Sequence, residues 1–147
     1  MGRGSLGVMP PRPAVPDDAA LLVEVRRLAL AFPGAQERMS HGRVTFRARL
    51  IFAVFSGMTK ATASVPVRHY PRSVLVKVDP AEHAALSQDP RFYVPAYYGP
   101  AGWLGLDLDA ATVDWQEVAE LLDMSYREVA GPRLVARLDA EGSPAGR

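Results

Sequence analysis

Between residues 21 and 32 the apolar positions Leu21, Leu22, Val25, Leu28, Ala29 and Phe32 recur at three-to-four spacing, which predicts an amphipathic helix. Asp17 and Asp18 precede it, where cap geometry and the helix dipole favour carboxylates, and Pro33-Gly34 stops it. From Val44 to Ser56 the pattern changes to β-branched and aromatic runs, VTF and LIFAVF, with a turn expected around Ala48 and Arg49. KATASVPV alternates, with Lys60, Thr62 and Ser64 against Ala61, Ala63 and Val65, and in SVLVKV the residues Val74, Val76 and Val78 share one side. Both segments read as strands with one wet face.

DPAEHAALSQ carries the sharpest local signal: Asp79 as N-cap, Pro80 at the first helical position and Glu82 three residues after the cap predict a short helix over Pro80 to Ser87. WLGLDL alternates Leu104, Leu106 and Leu108 with Gly105 and Asp107 and reads as a further strand. A last long helix starts at Asp114, repeats the carboxylate spacing with Glu117, buries Trp115, Val118, Leu122, Tyr126 and Val129, and ends at Gly131-Pro132. This order predicts an α+β two-layer sandwich, an antiparallel sheet with helices packed on one face. A single domain is expected over 17–140. A proline- and glycine-rich arm (1–16) and the tail 141–147 are expected to be disordered. No targeting segment is expected, because the arm lacks a continuous apolar stretch and Leu6 stands where myristoylation needs Ser or Thr.

Composition narrows the function classes. The chain has 147 residues, 48% hydrophobic and 22% charged, which are globular values for one core. The absence of cysteine excludes disulfides, thiolate zinc sites and cysteine nucleophiles, and suits a cytoplasmic location. His41, His69 and His83 are scattered without a second ligand at strand or helix spacing, so no metal and no cofactor are expected. Ser40 and His41 would point to opposite faces of a strand, and Asp107 and Asp109 suit turn and cap roles better than a catalytic pair; no catalysis is expected.

Charge changes the picture more. Arg38 to Val78 holds eight basic residues and no acid, whereas Asp107 to Glu128 holds seven acids against Arg127 alone. Exposed strand arginines can follow a phosphate backbone. The same charges can instead form a solvated face that keeps edge strands apart, or the free sheet face can serve a homodimer. The stretch FYVPAYYGPAGW concentrates five of the twelve aromatic residues. Trp103 and its neighbours read as core filling covered by the helix that carries Trp115 and Tyr126; Tyr97 and Tyr98, at the loop tip, can stack on a base or a partner.

PAYYGPAGWLGLDL followed by DWQEVAELLDMSYREVA, with FPGAQE, LIFAVF and VLVKVDPAE in order before them, resembles the MmcQ/YjbR family over about residues 20 to 130. The resemblance implies a compact sandwich similar to the frataxin-like fold and DNA binding through two β wings. Where many relatives carry a Gly-Lys step, this chain has Arg49 and Leu50; where enteric-type members have His and Lys before the tryptophan, it has Tyr98 and Ala101. The expected nucleic-acid contacts are Arg43, Arg47, Arg49, Lys60, Arg68 and Arg72, with Tyr97 and Tyr98. The partner expected is DNA, bound with little sequence discrimination; the alternative is a protein-interaction or homodimerisation module using the same sheet face. No membrane partner is expected.

Overall fold

The computed structural model describes residues 14–146, with side chains from Ala19. Helix α1 (Ala14–Leu30) leads into β1 (Gln36–Ser40), β2 (Arg43–Ala48), β3 (Leu50–Met58) and β4 (His69–Lys77). Then follow α2 (Pro80–Ser87), β5 (Phe92–Tyr93), β6 (Trp103–Asp107), α3 (Trp115–Val129) and α4 (Pro132–Glu141). The strands pair antiparallel in one six-stranded sheet, in the order β1-β2-β3-β4-β6-β5. This is an α+β fold.

Both predicted caps form. Asp79 accepts from Ala81 N at 2.9 Å, and Asp114 accepts from Gln116 N and Glu117 N at 3.0 and 3.2 Å, so one free amide of the α2 start and two of the α3 start are satisfied by the cap side chains. One face of the sheet supplies Phe46, Phe52, Phe55, Val74, Val76, Leu104 and Leu106 to the main core, against Val25, Leu28 and Phe32 of α1 and Val118, Leu122 and Tyr126 of α3. Phe52 and Tyr126 meet edge-on at 5.3 Å, and the buried Tyr126 hydroxyl donates to Pro33 O at 2.6 Å.

Ser125 ties the two layers. The β2–β3 register passes from Phe46↔Ala53 to Arg47↔Ile51, leaving Phe52 as the extra residue of a bulge. Where the ladder opens, the Ser125 hydroxyl donates to Phe52 O at 2.6 Å and accepts from Lys77 N at 2.9 Å. A helix side chain thus replaces a missing strand-to-strand hydrogen bond.

Several elements differ from expectation. KATASVPV is not a strand but part of the exposed loop joining β3 to β4. Its polar groups close on themselves, with Thr62 N to Val65 O at 2.8 Å, and Pro66 has no amide to offer a ladder. α1 begins at Ala14, so Asp17 and Asp18 lie inside it; Pro16 is tolerated because first-turn amides have no helical partner. The arm up to residue 13 lies outside the described residues. β1 escaped notice because QERMS is an edge strand with few buried positions. Gly131 (φ 86°) turns a corner into α4, which buries Leu138.

The described part of the tail, up to residue 146, is held against α3, where disorder was expected. Ser143 Oγ donates to the fully buried carboxylate of Asp123 at 2.5 Å, Gln116 Nε2 donates to Ala145 O at 2.8 Å, and Ala145 is buried. A buried carboxylate must be paired, and Arg127 and Ser143 do this for Asp123.

Candidate nucleic-acid interface

The face opposite the main helices carries a second, smaller core: Val54, Leu75, Tyr93 and Trp103, flanked by Ile51, Tyr70 and Tyr98. No helix covers it. At Ser56 (φ 79°) the β3–β4 pair breaks register, and beyond the break Gly57, Met58 and Tyr70 return over this face. Tyr70 stacks on Tyr93, centroids 3.9 Å apart and planes 11° from parallel, and the Arg68 guanidinium lies 4.7 Å above the Tyr70 ring. The segment after β5 completes the cover: Ala96 N donates to Met58 O at 2.8 Å, and Tyr98 packs on Trp103 at 5.0 Å.

The aromatic stretch is therefore structural in a different way from that expected. Adjacent residues of a strand point oppositely, so Phe92 joins the main core while Tyr93 and Trp103 lie on the far side of the sheet from Trp115 and Tyr126. The Tyr93 hydroxyl is hydrogen-bonded to Ser73 Oγ at 2.7 Å, and burial pushes its pKa well above the usual tyrosine value.

Two hairpin ends lie side by side. Thr45 pairs with Val54, so Arg43, two residues earlier, comes level with the end of β3, and the β1–β2 turn at His41-Gly42 stands beside the β3–β4 loop. Both turn residues have positive φ (51° and 78°), as a two-residue hairpin turn requires. Arg43 belongs to the first hairpin, and Lys60 and Arg68 to the loop of the second. His41, Arg43, Met58, Tyr97 and Tyr98 line one cavity of about 480 Å³. A larger one, about 800 Å³, lies between Met58–Ala61 with Val67 and the segment Val94–Pro100.

Of the expected contact residues, Arg43, Lys60, Arg68, Tyr97 and Tyr98 gather at this end. Arg47 follows Arg43 on the same face of β2, half-buried, with an Nε that has no hydrogen-bond partner among the described residues. Arg38, opposite Thr45 on β1, also faces this side; it stood in the basic run but not among the expected contacts. Two residues lie elsewhere. Arg49 sits in the β2–β3 turn (φ 71°) and donates Nε to Val129 O at 2.9 Å, capping α3. Arg72 is bound to Asp109 at 2.6 Å, with Asp109 N on the Asp107 carboxylate at 3.0 Å.

The electrostatics of the two sides differ. On the helical side most arginines are matched: Arg26 with Glu37, Arg27 with Glu24, Arg91 with Asp89 and Glu117, Arg127 with Asp123 and Asp139, Arg137 with Glu141, while Arg133 of α4 forms no ion pair among the described residues. Arg38, Arg43, Arg47, Lys60 and Arg68 form no ion pair among the described residues.

A family profile, YjbR, matches residues 30–128, from the end of α1 to the end of α3. The chain belongs to the YjbR family. The Ser-Tyr pair that contributed to the resemblance now has a physical role in this YjbR chain, since Ser125 bridges the sheet ladder and Tyr126 fills the core beneath it. A comparison with curated proteins finds no match. Among the described residues of this YjbR protein, no group of three or more His, Cys, Asp or Glu is placed to hold a metal, and no helix is long and apolar enough to cross a membrane.

Proposed function

We propose that this protein binds nucleic acid through its two adjacent hairpin ends, with Arg43, Lys60 and Arg68 on phosphates and Arg38 and Arg47 continuing the track along the β1–β2 face. The observation that carries this reading is the set of five cations that have no carboxylate partner among the described residues, whereas most arginines of the helical layer have one. Unpaired guanidinium and ammonium groups release counterions when they meet phosphates, and such contacts discriminate little between sequences. Arg49 and Arg72, engaged with Val129 O and Asp109, have no part in it. The reading places the protein in the cytoplasm and assigns it no catalytic step.

The test is a salt series on a DNA duplex. Five phosphate contacts give log K against log salt a slope of about −4.5 on a duplex, and changing Arg43, Lys60 and Arg68 to Ala flattens it by about one per cation removed. Absence of binding to duplex and single strand alike at low salt, or binding indifferent to the triple change, would falsify the proposal. Self-association through the same face is the rival reading, supported by the exposed Val65, Val67 and Tyr97. It requires concentration-dependent sedimentation of the free protein.

A further inference from the structure

We infer that the nucleic acid this site accepts is single-stranded, with an unpaired base stacked on Tyr97; the inference rests on the reading above and specifies its ligand. Tyr97 is 80% exposed, and it lines both cavities together with Met58. Its backbone is held at φ 71°, a conformation unfavourable for a side chain with a Cβ. At His41 and Arg49 positive φ belongs to hairpin turns, and at Ser56 to a bulge. At Tyr97 the turn, closed by Gly99 N to Pro95 O at 2.8 Å, would form more easily with glycine, and the fold gains little packing from the exposed ring. Strain kept without repayment in packing is a mark of function.

The surroundings suit a base rather than a duplex. The larger cavity, within the size range of small-ligand sites, is walled mainly by apolar groups such as Val67, Val94 and Pro100, and its polar edge is Lys60. The smaller cavity has Arg43 at its side. A mainly apolar cavity beside an exposed aromatic ring, with Lys60 on it and Arg43 on the neighbouring one, matches a base between two phosphates. A paired base keeps its faces inside the stack and cannot enter.

The experiment compares three fluorescent ligands of about a dozen nucleotides by anisotropy, at matched salt and across a salt series: oligothymidylate, an abasic strand with the same phosphates, and a duplex. Oligothymidylate is expected to bind at least about fivefold more tightly than the abasic strand, the gain from one stacked base. Tyr97→Ala and Tyr97→Gly are expected to remove that difference without changing the salt slope, and Tyr97→Phe to keep it. Because the ring is exposed, these variants fold. Equal binding of thymidylate and abasic strands, tighter binding of the duplex, or an unchanged preference in Tyr97→Ala overturns the inference while leaving phosphate binding intact. Failure of all three ligands to bind removes both.

Discussion

Replacing Gly105 by alanine is expected to destabilise the protein by about 2 kcal/mol, although alanine is the better strand residue by about 0.5–1 kcal/mol. A Cβ built at Gly105 comes within 2.5 Å of Tyr93 Cε1 and Cζ, against about 3.5–4.0 Å for an ordinary carbon contact. The ring must therefore retreat by about 1 Å. It has nowhere to go, because Tyr70 is stacked on its other face at 3.9 Å and Ser73 holds its hydroxyl at 2.7 Å. Overpacking of this kind costs about 1–3 kcal/mol, and a lost buried hydrogen bond adds about 1 kcal/mol, which together outweigh the gain in strand propensity. Urea denaturation should show a lower midpoint at constant m, and the melting temperature should fall by about 4–8 °C. A second background isolates the cause: in Tyr93→Leu, whose shorter side chain leaves room, the same Gly105→Ala change should cost close to nothing. If Gly105→Ala is as stable as wild type, or the penalty persists in Tyr93→Leu, the packing described for the open face is wrong.

Ser125→Ala leaves Phe52 O and Lys77 N buried without partners and is expected to cost about 2–4 kcal/mol, with faster hydrogen exchange at the Lys77 amide and little change at amides of β1. Arg49→Ala should lower stability by about 1 kcal/mol through loss of the α3 cap and leave DNA affinity unchanged, whereas Arg43→Ala should do the reverse; chemical denaturation and a binding isotherm on both variants separate the roles. The hydrogen bond from Arg26 holds the Glu37 carboxyl below the usual range, and the hydrogen bond from Arg91 does the same for Asp89. Groups with depressed folded values stabilise fully above their unfolded values, about 4.3 and 3.9, and lose that contribution as pH falls through the folded ones. Urea midpoints should therefore stay level from neutral pH to about 5 and drop below it, less steeply in Glu37→Gln.

The sequence was most legible where a local rule acts alone. The caps at Asp79 and Asp114 form where their carboxylate and spacing indicate, and Val74, Val76, Leu104 and Leu106 take the core face that alternation assigns them. Alternation misled at KATASVPV, because a two-residue period describes a strand only if a neighbour supplies the ladder, and none lies beside residues 60–67. The candidate site was half legible. Composition identified the basic run, but which cations remain unpaired depends on contacts distant in sequence: Arg49 finds a carbonyl 80 residues away, and Arg72 a carboxylate 37 residues away. Tyr93 and Trp103 show the same limit, since their burial depends on the register break at Ser56 that brings Tyr70 back over them.

β1 forms the outer edge of the sheet, and Arg38 is its middle residue. Two such edges meeting antiparallel about their midpoints would set one Arg38 beside the other, like charge against like, in the arrangement where cross-strand neighbours are nearest. The side chain to which the proposed reading gives a phosphate thereby also discourages runaway strand addition, a colloidal restraint between copies that holds whether or not a polyanion is bound.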